Sequence, residues 1–318
     1  MVCRPRTGSI NRVRLLYAIR QSVTYRNTSL LPILSLLLAA TMWGTVWYPL
    51  RLLEDGGLHG LWSILVSYCV AMLLGLALLW RHGGEVRRDP RALLVMALAN
   101  GWCNVAFVLA VIEGPVMRVL LLFYLSPLWA VILARLILGE RLSQEARLVF
   151  AMALGGAVIM LWNPALGLPW PQGAGDWLAV SAGFGFALSN VMIRRMQAMS
   201  VWTKTAVSWI GVLVIALAML GLTQQTAVPA VSGGIWLGAV GLGIFGIVVM
   251  TLTVQYGVSH LPIHRSAVIL LFELIAGAVS SYLLAHELIR PQEWVGGALI
   301  VAAAYVSAHA ARKQGEVD

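Results

Sequence analysis

Apolar residues run along this chain in stretches of about twenty, each closed by charged or turn-forming residues, and this pattern repeats ten times. The stretches fall at about 30–51, 59–80, 92–112, 116–137, 146–163, 174–193, 204–223, 234–257, 264–285 and 291–311. Roughly twenty apolar residues in a helix cross the hydrocarbon core of a bilayer, so each stretch is read as a membrane span. Ala92 to Ile112 carries no charge and lies between Arg91 and Glu113. Thr205 to His264 has no Asp, Glu, Lys or Arg, and Gln224-Gln225-Thr226, Pro229 and Gly233-Gly234 mark the turn that divides it into two spans. The fourth stretch has Arg118 and Arg135 near its ends, where long arginines can extend to the interface. The fold class that follows is all-α integral membrane.

Composition agrees with this reading. Of 318 residues, 60% are hydrophobic and only 11% charged, where soluble domains are nearer a quarter charged. The formal net charge is +9, but the basic residues punctuate the apolar stretches and form no single patch, so nucleic acid is not an expected partner. With the N-terminus inside, 19 of the 22 Lys and Arg fall on the inner side, and Arg51, Arg118 and Arg290 remain outside. That bias predicts both termini in the cytoplasm of a plasma (inner) membrane protein. Residues 1–29 hold six arginines, no acid and no apolar core, so no cleavable signal peptide is expected there. They read as a cytoplasmic basic tail; an over-extended start or an organellar transit peptide would give the same stretch. Cys3, Cys69 and Cys103 form no framework.

The chain also matches itself. Pro115, Arg118, Leu136 and Glu140 correspond to Pro262, Arg265, Leu283 and Glu287 at a constant offset of 147, and each set is followed by one more apolar stretch. Trp43-Gly44 through Arg51 matches Phe186-Ala187 through Arg194 more loosely. The organisation expected is a tail (1–29), a first five-helix repeat (30–163), a linker (164–173), a second repeat (174–311) and a tail (312–318). Five is odd, so the second copy would be inverted in the membrane, giving ten transmembrane helices as two inverted five-helix repeats. Inverted repeats are a common construction of secondary transporters.

These residues resemble the drug/metabolite transporter superfamily, in particular its EamA-like branch. The resemblance rests on Trp43-Gly44, Ser126-Pro127, Leu138-Gly139-Glu140-Arg141-Leu142, Phe272-Glu273 and His286-Glu287, and covers about residues 30–311. The second copy departs from the pattern at Leu274, where proline is common, and at Ala285-His286, where Leu-Gly is usual. The resemblance implies a ten-helix basket with a central cavity that moves small organic solutes, often amino acids or other metabolites.

Candidate site residues follow from charge inside spans. A charge near the bilayer centre costs roughly 3 kcal/mol or more, so it tends to face a cavity or a partner. Glu273 lies near the middle of the ninth stretch and is either a substrate or proton site or a structural hydrogen-bond acceptor. Arg118 and Arg265, each one turn inside a helix that opens with proline, are placed to bind an anionic group or to serve as outer and inner gates; charges also collect at helix ends for topology alone. Glu113 and His260, each five residues earlier, are the matching gate candidates. Trp43, Asn104 and Tyr124 are candidate cavity residues, while Asn100, Asn190, Gln255 and Tyr256 either line it or tie helices together. Trp62, Trp162, Trp170, Trp177 and Trp236 read as interfacial anchors.

Several classes are disfavoured. His260 and His264 have helical spacing, but Pro262 lies between them and no acid or cysteine is near, so no metal or other cofactor is implied. There is no phosphate-binding glycine loop for ATP hydrolysis, no hydrolase motif and no aspartate cluster, so an enzyme is not expected. The function expected is a secondary transmembrane transporter, exporter or exchanger, of small metabolites such as amino acids, with the proton as candidate coupling ion. A lipid or lipid-linked sugar flippase and a non-transporting sensor or assembly component are the alternatives. The sequence leaves the oligomeric state open.

Overall fold

The computed structural model describes residues 30–113, 116–162, 171–285 and 290–317. The basic tail, Pro115, most of the linker at 164–173, and the His286-Glu287 motif lie outside them. The described residues are mostly helical, with no strand among them, and nine of the helices are long and apolar enough to cross a membrane.

The chain opens with α1 (Leu31–Thr45) and α2 (Trp47–Asp55), which together make the first span and are separated at Val46. Then come α3 (Gly60–His82), α4 (Pro90–Glu113), α5 (Val116–Phe123) and α6 (Ser126–Leu133). The last of these continues through a π-helical turn, Ala134–Leu138, and ends at Gly139. Gly139 has φ +71°, a left-handed conformation that glycine adopts without the clash a side chain would cause. The remaining helices are α7 (Gln144–Leu161), α8 (Ala174–Arg195), α9 (Val201–Leu222), α10 (Gly233–Gly241), α11 (Val248–His260), α12 (Ile263–Leu270), α13 (Phe272–Ala285) and α14 (Pro291–Val317). A π-helical turn joins α10 to α11 in one long span.

Helix ends follow local chemistry. Asp89 accepts from Ala92 N at 3.1 Å ahead of α4, and Ser143 accepts from Ala146 N at 3.1 Å ahead of α7. Each satisfies a backbone donor that the helix leaves open. In α8 an acid, Asp176, sits in the first turn and two arginines, Arg194 and Arg195, in the last, which matches the helix dipole at both ends.

Helix ends agree with the expected spans to within a few residues, with three differences of substance. The fourth and ninth spans are each interrupted, at Tyr124-Leu125 and at Leu271. Lys204, expected at the edge of a loop, is fully buried in the first turn of α9. The tenth expected stretch is the helix α14, which packs along α7 and is not among the nine candidate spans.

Packing arranges the helices around two central ones. Helix α8 packs on α4, α5 and α6, while α1 packs on α11, α12 and α13. The outer pairs are α3 with α9 and α7 with α14. Small residues permit the closest crossings, as expected where lipid gives helices no hydrophobic drive to associate. A side chain at Gly44 would strike the backbone of Glu273 and Gly277, one at Gly183 the carbonyl of Phe123, and one at Gly156 the carbonyl of Gly296. Large apolar residues such as Leu73, Leu76, Leu217, Leu237 and Phe245 face outward, as they would toward lipid.

Candidate functional site

The two helix breaks meet at one cavity. Pro127 has no backbone N–H, so the carbonyl of Phe123 has no donor four residues on, and the fourth span breaks there. Gly183 of α8 approaches that carbonyl. On the opposite side, Leu271 interrupts the ninth span and Glu273 opens α13. Gly44 lets α1 lie directly on that turn. Interrupted helices are tolerated at membrane depth where the freed backbone faces protein or a cavity.

The cavity is small and partly open. Phe123, Tyr124, Ser126, Pro127 and Ala130 line it from the first half of the chain, and Phe186, Asn190, Ile263, Ser266, Leu270 and Glu273 from the second. Tyr124 and Glu273 face the same space, one from each half of the chain. Tyr124 is buried, and its ring meets Phe123 edge-on with centroids 5.5 Å apart. Phe123 in turn contacts Phe186 at 5.7 Å. Glu273 is the only ionisable carboxylate among the lining residues, and none of them is Lys, Arg or His.

The other sequence candidates sit elsewhere. Arg118 is buried at the start of the fourth span, where its Nε is 2.8 Å from Asp176 of α8. Asp176 also accepts from the backbone N of Gln172 at 2.8 Å. Glu113 stands exposed at the end of α4. Arg265 is half-buried in the first turn of α12 and does not line the cavity. His260 is exposed, its Nδ1 2.7 Å from the carbonyl of Tyr256 and its ring packed on that tyrosine. Trp43 and Asn104 belong to a neighbouring cluster: Tyr68 donates to Asn104 Oδ1 at 2.9 Å, and Trp43 packs against the apolar group that contains Tyr68 and Trp209. Of the candidates, the structure therefore brings together Glu273 and Tyr124.

A second polar constellation closes the bundle at the far ends of the fourth span and α8. Arg194 Nε lies 3.4 Å from Glu140 Oε1, and Arg194 Nη1 donates to the Ser259 carbonyl at 2.9 Å. The other Glu140 oxygen accepts from Ile263 N at 3.1 Å, the first residue of α12. Below it, the buried Lys204 Nζ donates to Ser259 Oγ and reaches the carbonyls of Ile193 and Met196 at 3.4 Å each. Three helices end and two begin at this point. Phe186 and Asn190 line the cavity on the same stripe of α8 that ends at Arg194, a spacing of four residues that was visible in the sequence. Nothing in the sequence pairs Arg118 with Asp176, which lies 58 residues away.

Long apolar helices, two of them interrupted at a shared cavity, define a multi-pass membrane protein. A family model described as the EamA-like transporter family matches twice, over residues 30–162 and 173–308, and the chain belongs to that family. It is a membrane transporter. Its relatives include an uncharacterized transporter of Archaeoglobus fulgidus, 25% identical over 70% of this chain and 78% of that protein. An uncharacterized transporter of Pseudomonas aeruginosa is 30% identical over 58% of this chain and 60% of its own length. Protein RarD of Streptomyces exfoliatus is 26% identical over 82% of this chain and 83% of that protein. One solved crystal structure superposes with a TM-score of 0.72 at 18% identity, covering 88% of this chain and 98% of the other, which shows a shared fold.

Proposed function

We propose that this protein is a secondary carrier that exports or exchanges small metabolites such as amino acids across the plasma membrane, with both termini cytoplasmic. The cavity at the two helix breaks is its substrate site, and Glu273, which shares its wall with Tyr124, binds substrate or the coupling proton. The observation that carries this reading is the placing of Glu273 and Tyr124, one from each half of the chain, on the wall of one mostly apolar cavity where the two helix breaks meet.

The reading includes ten spans in two inverted five-helix repeats. It draws support from the double match of one family model. It draws more from the packing: exchanging the first five spans with the last five turns the contacts of α8 with α4, α5 and α6 into those of α1 with α11, α12 and α13. The two helix breaks, at Tyr124 and Leu271, stand at the same offset of 147 as the sequence repeat. Two copies of one unit can trade conformations and so open the cavity to alternate sides. Glu140 and Arg194 then form a latch at the cytoplasmic end.

Purified protein in liposomes, with an imposed proton gradient and a panel of labelled metabolites, tests the reading. Gradient-driven flux is expected for the wild type. Glu273→Gln is expected to lose it while eluting as the same folded species. Full gradient-driven flux in that variant removes Glu273 from the coupling role.

A further inference from the structure

The cavity presents acceptors and aromatic faces, with no cation among its lining residues, and this restricts what it can hold. Glu273 supplies the only formal charge on its wall. Asn190 is 6% exposed and lines the cavity, and its amide makes no hydrogen bond among the described residues. Ser126, 3% exposed, lines it too, and its hydroxyl is likewise without a hydrogen bond among them. A buried polar side chain usually has a partner, so an open amide and an open hydroxyl aimed at the same space as a carboxylate mark a place left for a ligand. The rings of Phe123, Tyr124 and Phe186 form one wall of that space.

We infer that the solute carried is an organic ammonium, a small amine with an apolar or aromatic body, bound by Glu273 and Asn190 with its body against Phe123 and Phe186. An ammonium has three donors and no acceptor, which suits a carboxylate, an amide oxygen and a hydroxyl oxygen converging from different helices. Hydrogen bonds to a charged partner are the strong ones, and the aromatic faces add a favourable field for a cation. A free carboxylate meets the opposite situation. It would face the Glu273 carboxylate in a confined apolar space with no Lys, Arg or His among the lining residues. A zwitterion satisfies one end and leaves the other in that position. The inference rests on the carrier reading above and narrows its substrate from metabolites in general to amines.

Three compounds that share a phenyl ring separate these cases: 2-phenylethylamine, 3-phenylpropionate and phenylalanine. The measurement is the rise in apparent melting temperature of the purified protein with each, since a ligand that binds the folded state raises it. The amine is expected to bind about tenfold or more tightly than the acid, with the zwitterion between them. Glu273→Gln is expected to remove the amine's effect, and Asn190→Ala to weaken it several-fold with the ligand-free melting temperature little changed. The proposal is overturned if the carboxylate binds as well as the amine, if none of the three binds, or if Glu273→Gln retains amine binding. A parallel flux assay in liposomes keeps the two readings apart. Flux of other metabolites without an amine preference sinks the substrate class and leaves the carrier intact, whereas absence of flux for every metabolite in the panel counts against the carrier itself.

Discussion

The fourth span and α8 run side by side in the same direction, and an ion pair joins them at each end. At the first end, Arg118 and Asp176 lie 2.8 Å apart and each side chain is 7% exposed. At the second, Arg194 and Glu140 lie 3.4 Å apart with exposures of 15% and 24%. The first pair is short, dry and tied back by the Gln172 backbone. The second is longer, wetter and shared among four elements, through Ile263 N and the Ser259 carbonyl. The same chemistry thus gives a buried lock at one end and, at the other, a partly exposed pair of the kind the proposed latch needs. Burial makes the difference, because removing one member of a dry pair strands a charge, while water replaces a lost partner at a wet one.

The largest effect expected from that comparison is at the lock. Asp176→Asn keeps the shape of the side chain and removes the charge that faces Arg118. A loss of about 3–5 kcal/mol of stability is expected, read as a large fall in the thermal midpoint in detergent. A fall no greater than that of Glu140→Gln would erase the distinction between the ends.

Lys204 sharpens the comparison from inside the latch end. It is fully buried, and its ammonium gathers the α8 carbonyls of Ile193 and Met196 with Ser259 of α11. A cation at a helix C-terminus fits the dipole there and supplies donors to open carbonyls. This group is an anchor lying beneath the latch. Lys204→Met should cost about 1–3 kcal/mol through the carbonyls it leaves without a donor. It should leave Glu140 and Arg194 paired. A neutral result in thermal unfolding would mean that the anchor is not structural.

Much of this architecture is legible in the sequence, because span boundaries depend on local composition. Charge-free runs such as Ala92 to Ile112 can only be buried in lipid or protein, and helix-breaking Pro127 is visible one residue at a time. Two of the five motifs behind the resemblance, Ser126-Pro127 and Phe272-Glu273, fall at the two breaks that make the cavity. Partnerships were harder to read. Arg118 looks toward Glu113, five residues away, when only the chain is known, yet the structure sets it against Asp176 at 2.8 Å. Nothing local encodes which helices become neighbours, and charges at span ends look alike until burial separates them. Lys204 illustrates the same limit: as the single lysine near a turn it reads as a topology marker, and only packing makes it an anchor.

The smallest effect on stability, and the most informative about movement, is expected at the latch. Glu140→Gln weakens a partly exposed pair, so it should cost no more than about 1 kcal/mol. Its consequence should appear instead in access to the cavity. Ser266 is buried and lines the cavity one turn inside α12, whose first N–H is held by Glu140. With Cys3, Cys69 and Cys103 replaced by alanine and a single cysteine placed by Ser266→Cys, a water-soluble thiol reagent reports how often the site is open. Releasing Glu140 frees α12 from the fourth span and from α8 together, so labelling should rise several-fold in Glu140→Gln. Arg194→Gln should do the same, because the pair acts as one unit and either half undoes it. Labelling that stays unchanged in both variants would mean that the wet pair holds nothing closed, and the two ends would then differ in burial alone.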